Sequence, residues 1–258
     1  MSGLLQPQPQ PQPQPLRPPG VEALLRARGL AKTFVLHHQG GIELPVFAGI
    51  DLAVGAGECV GLAGPSGCGK STLMRCLYGN YAASAGAVEV RHGGQWLDLG
   101  AASPRAVTAA RRHSLGHVSQ FLRVIPRVST LALVAEPLRR IGVAEALALE
   151  QARDLLGQLD LPQRLWALPP ATFSGGEQQR VNVARGLIVP RAVLLLDEPT
   201  ASLDAANKQR VLDLIVQARE RGAALVGIFH DPESREALVT RWFDLPAHRA
   251  QRQDALHD

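Results

Sequence analysis

Residues 58–78 read Glu58-Cys-Val-Gly-Leu-Ala-Gly64-Pro-Ser-Gly-Cys-Gly69-Lys70-Ser71-Thr-Leu-Met-Arg-Cys-Leu-Tyr78. An apolar run suited to a buried strand meets a glycine-rich turn, and the turn meets a helical stretch from Lys70 to Tyr78 that stops at Gly79. Gly64 to Ser71 fits the pattern G-x-x-x-x-G-K-[ST], in the strand-to-helix context the pattern requires. The glycines let the backbone curl until its N–H groups point inward at phosphate oxygens, and the helix adds its positive N-terminal end. Lys70 would reach the β- and γ-phosphates, and the Ser71 hydroxyl would serve Mg²⁺. From average residue frequencies, a chance match in a chain of this length is on the order of one in a hundred. The alternative is a plain glycine-rich strand-to-helix turn.

From Val21 onward, short apolar runs alternate with helical stretches. Ala85–Leu99 reads as a β-hairpin about Gly93-Gly94. Thr130–Leu161 is mostly helical, Ala192–Leu196 and Ala224–Phe229 are buried strands, and Asp204 can cap a helix whose apolar face is Val211, Leu214, Ile215 and Ala218. This alternation predicts a parallel sheet with crossover helices, an α/β protein. The strand at 192–196 runs into Asp197 and Glu198. At a strand end beside a phosphate loop, Asp197 would hold the magnesium shell and Glu198 would polarise the attacking water, with adjacent residues pointing opposite ways. Ser174-Gly175-Gly176-Glu177 fits a capping box that opens a helix ending near Pro190.

Composition narrows the classes. The chain has 258 residues, 46% hydrophobic and 19% charged, which is enough for one large domain or two small ones and excludes overall disorder. No apolar run approaches the ~18–20 residues needed to span a bilayer, so direct membrane insertion is not expected. Three cysteines, Cys59, Cys68 and Cys76, are too few for a disulfide framework and point to a reducing cytoplasm. There are 27 basic and 23 acidic residues, a net charge of +4, and the only lysines are Lys32, Lys70 and Lys208. Nothing marks a nucleic-acid module. Residues 6–15 repeat Gln-Pro, so 1–22 reads as a disordered tail, 23–250 as the folded domain and 251–258 as a C-terminal tail. The tail is either a linker or a ligand for a proline-binding groove.

The ordered set of phosphate loop, Gln120, Ser174–Glu177, Asp197-Glu198 and His230 resembles ABC-type ATPases over roughly residues 28–245. The resemblance implies a P-loop NTPase with a RecA-like parallel-sheet core, an antiparallel β subdomain and an α-helical subdomain at about 121–175. It implies ATP and Mg²⁺ as cofactors. Gly64, Pro65, Ser66, Gly67, Cys68, Gly69, Lys70, Ser71 and Thr72 would cradle phosphate, and Phe34 would stack on adenine. Ser71, Gln120 and Asp197 would serve the metal. Glu198, His230 and Gln120 would be catalytic. Ser174, Gly175, Gly176 and Glu177 would close on a nucleotide held by a second subunit, and Asp204 would link the two sites, so the partner includes another cassette in a homo- or heterodimer. Phe173 and Glu177 depart from the commonest Leu-Ser-Gly-Gly-Gln form without removing a phosphate donor.

Four stretches, Ser119–Arg127, Leu161–Leu168, Thr172–Asn182 and Gly227–Asp231, resemble the L subunit of the bacterial phosphonate carbon–phosphorus lyase system. That resemblance implies work beside other lyase subunits and a sister cassette ATPase, supporting formation of ribose 1-phosphonate 5-triphosphate from MgATP and phosphonate. The other reading is a transporter ATPase of the lipoprotein-release or macrolide-export type. A non-hydrolysing regulatory cassette is disfavoured by Glu198 and His230. Two local features stand apart. Residues 99–135 lack acidic side chains and carry Arg105, Arg111, Arg112, Arg123 and Arg127 around Gln120, either a docking face for an acidic partner or an ordinary basic surface. Cys68, at a helix N-terminus, is either a thiol of depressed pKa, open to alkylation, or a filler.

Overall fold

The computed structural model describes residues 22–36, 41–122, 124 and 126–245. The Gln-Pro stretch, Arg123 and the segment 251–258 lie outside the described residues. Two sheets organise the rest. The first is antiparallel, built from β1 (Ala23–Leu36), β2 (Ile42–Gly55), β4 (Ala85–His92) and β5 (Gln95–Asp98) in the order β2-β1-β4-β5. The second is parallel and combines β3 (Cys59–Ala63), β6 (Leu115–Val118), β7 (Val193–Asp197), β8 (Ala224–Ile228) and β9 (Arg241–Asp244) in the order β6-β7-β8-β3-β9.

The helices are α1 (Lys70–Leu77), α2 (Pro104–His113), α3 (Thr130–Arg140), α4 (Glu145–Gln158), α5 (Gly175–Leu187), α6 (Ala205–Glu220) and α7 (Pro232–Leu238). Short 3-10 turns at Gln163–Leu165 and Pro170–Thr172 join α4 to α5. The predicted helical stretch 130–161 divides in two at Gly142, which takes φ +92°. The predicted hairpin is present, with His92 opposite Gln95 and both turn glycines at positive φ. The long pair β1–β2 escaped the strand pattern, because register shifts interrupt its alternation at Ala27/Leu30, Leu30/Lys32 and Lys32/Thr33.

The pleat of β7 feeds two cores at once. Leu194 and Leu196 pack with α3 to α6, while Val193 and Leu195 pack with α1 and the antiparallel sheet. All four are essentially buried, so each leucine contributes roughly 1.5–3 kcal/mol by leaving water. A strand sandwiched this way reads as a continuous apolar run, as 192–196 does. Cys59 and Cys76 are filler in these cores, their thiols pushed up to about 12 and about 11 by burial.

Gly86 shows how close the antiparallel sheet folds on itself. It sits at φ +79°, and a Cβ there would lie 2.4 Å from the Arg28 carbonyl and 2.5 Å from that of Gly29. Gly93 has φ +56° and open space around it. Gly86→Ala is therefore expected to cost about 3 kcal/mol, backbone strain plus overpacking, and Gly93→Ala only about 1 kcal/mol. Urea unfolding midpoints check this, and equal losses would contradict the close packing.

Candidate functional site

The phosphate loop lies between buried β3 and α1. Gly64, Gly67 and Gly69 take φ of +136°, +77° and +108°. Gly69 caps α1, and a Cβ on it would stand 2.6 Å from Val46 Cγ1 of β2, so the antiparallel sheet presses on the loop from behind. Pro65, Ser66 and Gly67 are exposed, Thr72 is half-buried, and Cys68 turns into the core at 7% exposure, as the filler alternative has it. The Lys70 ammonium donates to the carbonyls of Gly64 at 2.8 Å and Pro65 at 2.9 Å. It is thus folded over the loop its backbone forms.

Strand ends bring the acidic residues to this loop. Asp197 closes β7 and is buried, with burial first and then Glu198 raising its pKa against Arg75, His230 and Lys70. Glu198 is not a further strand residue. It takes φ +52°, a left-handed conformation costing about 1–2 kcal/mol for a side chain of this kind. The expectation that the pleat separates the two carboxylates gives way to this backbone turn. It swings Glu198 under His230, whose Nε2 lies 2.8 Å from Oε1, while Gln120 Nε2 donates to Oε2 at 3.3 Å. Glu198 N donates to the Ile228 carbonyl at 3.1 Å, and Gln179 Nε2 donates to the carbonyls of Glu198 and Pro199 at 3.2 and 2.9 Å.

A magnesium ion fits the residues beside them. Asp197 Oδ1 is buried without a hydrogen-bond partner, and Ser71 and Gln120 line the same cavity. A carboxylate, a hydroxyl and an amide are the oxygen donors Mg²⁺ prefers.

The second group of predicted residues stands apart. Ser174 caps α5: its Oγ accepts from Glu177 N at 3.3 Å, and its N donates to Glu177 Oε2 at 2.9 Å. The Ser174 hydroxyl donates to the same carboxylate at 2.8 Å, and these bonds hold the Glu177 pKa down. Ser174 and Gly175 are exposed, and Gly176 is packed against the Ser202 carbonyl, 2.9 Å from where its Cβ would be. Asp204 caps α6 through Asn207 N at 2.9 Å, and Asn207 Oδ1 accepts from Arg180 at 2.8 Å. Among the described residues, no hydrogen bond or ion pair joins Ser174–Glu177 or Asp204 to the phosphate loop. Phe34 is also separate, packed edge-on to Tyr81 at 5.5 Å with Lys32 Nζ over its ring at 4.7 Å. The chain thus carries a phosphate-loop half and a capping half that do not meet.

The ABC transporter family profile matches residues 47–201. The chain belongs to the ABC transporter ATPase family. As such a cassette it binds ATP with Mg²⁺. It is 41% identical over 217 residues to the lipoprotein-releasing system ATP-binding protein LolD 2 of Caulobacter vibrioides, covering 82% of this chain and 90% of that one. LolD of Geobacter metallireducens is 37% identical over 82% of this chain and 91% of its own. The probable export ATP-binding/permease protein MacB of Pseudomonas entomophila is 35% identical over 82% of this chain and 31% of its longer one. A solved dimer of the cassette MJ0796 with ADP and Pi superposes with TM-score 0.77 at 25% identity, over 86% and 94% of the two chains. The expected fold class is therefore the observed one.

The phosphonate-lyase resemblance is corrected by these relatives, which are transporter ATPases. Two of the four stretches that carried it are shared nucleotide machinery. Thr172–Asn182 is the capping box and the start of α5, and Gly227–Asp231 runs from β8 into the His230 turn. The accessory role in ribosyl triphosphate synthesis has no support from them. Among the described residues no helix is long and apolar enough to cross a membrane.

The sequence pattern missed the clasp behind His230. Asp231 caps α7, accepting from Ser234 N at 2.9 Å, Ser234 Oγ at 2.7 Å and Thr200 Oγ1 at 3.0 Å. Asp231-Pro232, a cap followed by proline at the first helical position, was the available signal. Burial opposes ionisation, but the Ser234 and Thr200 bonds and Lys208 outweigh it and hold the carboxyl at about 2. A depressed pKa stabilises above the unfolded value near 3.8, and the gain is lost as pH falls towards 2. Asp231→Asn is expected to cost about 2 kcal/mol at pH 7, and denaturant titrations should show that gap closing below pH ~4. A pH-independent gap would contradict the clasp.

Proposed function

We propose that this chain is the ATP-hydrolysing subunit of a membrane machine of the lipoprotein-release or macrolide-export type. The 41% identity to a lipoprotein-releasing ATPase over 82% of the chain carries this reading. The name of the Pseudomonas entomophila relative, an export ATP-binding/permease protein, joins a cassette to a permease, which supports a permease as the partner here. In this reading residues 23–250 form the ATPase domain, and about 121–175 its helical subdomain.

The site's geometry accounts for the reaction class. Gly64 to Thr72 hold the triphosphate, with Lys70 exchanging the Gly64 and Pro65 carbonyls for phosphate oxygens. Ser71, Gln120 and Asp197 would hold Mg²⁺, which would supply charge neutralisation on those oxygens when bound. Glu198 takes up the proton of the attacking water, and His230 and Gln120 keep its carboxylate aimed. Phe34, with Tyr81 edge-on beside it, offers a ring for adenine to stack on. The Ser174–Gly176 end of α5, exposed at Ser174 and Gly175, caps the γ-phosphate of a nucleotide on a second cassette, where helix N-terminal N–H groups meet negative charge. Loss of that phosphate releases the grip between the two.

Two measurements decide. Glu198→Gln should lower the hydrolysis rate by about 10²–10³ while MgATP affinity is retained. Affinity purification from the native host should recover an integral membrane permease. Recovery of soluble lyase subunits, with loss of growth on a phosphonate as sole phosphorus source after deletion, would overturn the transporter reading.

A further inference from the structure

Phe34 stands on a part of β1 that the rest of the antiparallel sheet no longer supports. The ladder between β1 and β4 ends at Ala31 opposite Ala85, while β1 and β2 run on together to Leu36 opposite Ile42. Beyond Ala31 the two strands form a two-stranded arm, and a ribbon of that kind is marginal without a further layer against it. Two neighbours supply that layer at Phe34. Tyr81 packs edge-on to the ring at 5.5 Å. The Lys32 ammonium lies 4.7 Å from the centre of the Phe34 ring and 5.8 Å from that of Tyr81. Both distances are within the reach of a cation–π contact. The ammonium is itself fixed, because it donates to the Ala82 carbonyl at 2.9 Å.

The same cluster is tied to the helix that follows the phosphate loop. Arg75, in the second turn of α1, donates from Nη1 to the Tyr81 hydroxyl at 2.7 Å and lies 5.4 Å from the centre of that ring. Its carbonyl accepts from Asn80 N at 2.8 Å and from Tyr81 N at 3.2 Å, which fixes the turn after α1. Ser84 closes the link to the arm. Its N donates to the Ala31 carbonyl at 2.9 Å, and its hydroxyl accepts from Thr33 N at 3.0 Å. A path of contacts therefore runs from the helix that opens with Lys70, through Arg75 and Tyr81, to Phe34. Among the described residues, Lys32 forms no ion pair. Its charge is answered by two rings and a carbonyl dipole instead of a carboxylate.

We propose that Lys32 is a positioning residue for the base of the nucleotide: with Tyr81 it backs the Phe34 ring on one side, so that the other side is presented to adenine. The inference rests on the reading of Phe34 as the ring that stacks on adenine, and it adds how that ring is held. Phe34 touches the base, whereas Lys32 acts through the ring. A change at Lys32 is therefore felt in the base-dependent part of the affinity. The hold on the phosphates and the hydrolytic step at Glu198 lie outside its reach.

The test uses the full chain and two probes, MgATP and the magnesium complex of inorganic triphosphate, which has the phosphates but no base. Lys32→Met keeps an apolar stem and removes the charge. It should weaken MgATP binding about three- to tenfold, leave triphosphate binding unchanged, and raise KM for ATP without lowering kcat. Lys32→Arg, which keeps a cation able to lie on a ring, should restore most of the affinity. Phe34→Ala should weaken MgATP about tenfold or more, again sparing triphosphate. Adding Lys32→Met to Phe34→Ala should cost nothing further. Unchanged MgATP affinity in Lys32→Met would overturn the proposal. So would an equal loss with both probes, which marks a general distortion, or a Lys32→Met cost that persists without the ring. If Phe34→Ala weakens MgATP and Lys32→Met does not, the proposal falls alone. If Phe34→Ala leaves MgATP affinity unchanged, the adenine reading falls and takes the proposal with it.

Discussion

Strands β6, β7 and β8 run parallel, with Val118 beside Leu196 and Asp197 beside Ile228, and this register decides where the chemistry can occur. Each strand ends at the same edge. Two residues past β6 comes Gln120, one past β7 comes Glu198, and two past β8 comes His230. Side chains distant in sequence are thereby delivered within hydrogen-bond reach of one carboxylate. A slip of one residue in any of the three would move its whole apolar set to the opposite face, so the two cores that share β7 hold the register fixed. Stability and site geometry are set by the same ladder. The strained backbone at Glu198 is tolerated because its N–H and carbonyl are both engaged, by Ile228 and by Gln179.

Helix α5 carries that order outward. Its first turn holds the capping box, and its next turns supply Gln179 to the Glu198 loop and Asn182 to the Ser119 carbonyl beside Gln120. Arg180 reaches the carbonyls of Leu159 and Asp160 and the side chain of Asn207, tying the helical layer to α6. Arg185, near its end, lines the cavity beside Ser71, Gln120 and Asp197, on which six arginines converge. One element therefore touches the Ser174–Glu177 cap, the Glu198 loop, the end of β6 and the arginine-lined cavity.

Much of this was legible because it is local. The phosphate loop, the capping box, the Gly93-Gly94 hairpin and the buried strands β7 and β8 each declare themselves within a few residues. What was not legible depends on distance. The β1–β2 pair hides behind bulges, β6 and β9 are four residues each, and the Asp231 clasp needs Thr200 from another strand end. The arginine cavity is the clearest case. Residues 99–135 pointed to a basic face, but Arg75, Arg140, Arg185 and Arg191 come from elements that only the fold brings together. The partner's identity was legible least, since the stretches read as family-specific partly coincide with machinery every cassette needs.

We propose that the ends of β6, β7 and β8 act as one catalytic unit centred on Glu198. A double-variant cycle measures this directly, comparing single-turnover ATP hydrolysis by His230→Ala, Glu198→Gln and the two combined. If His230 works by holding Glu198, the combined variant hydrolyses no more slowly than Glu198→Gln alone. Losses that multiply would show two independent contributions and contradict the account.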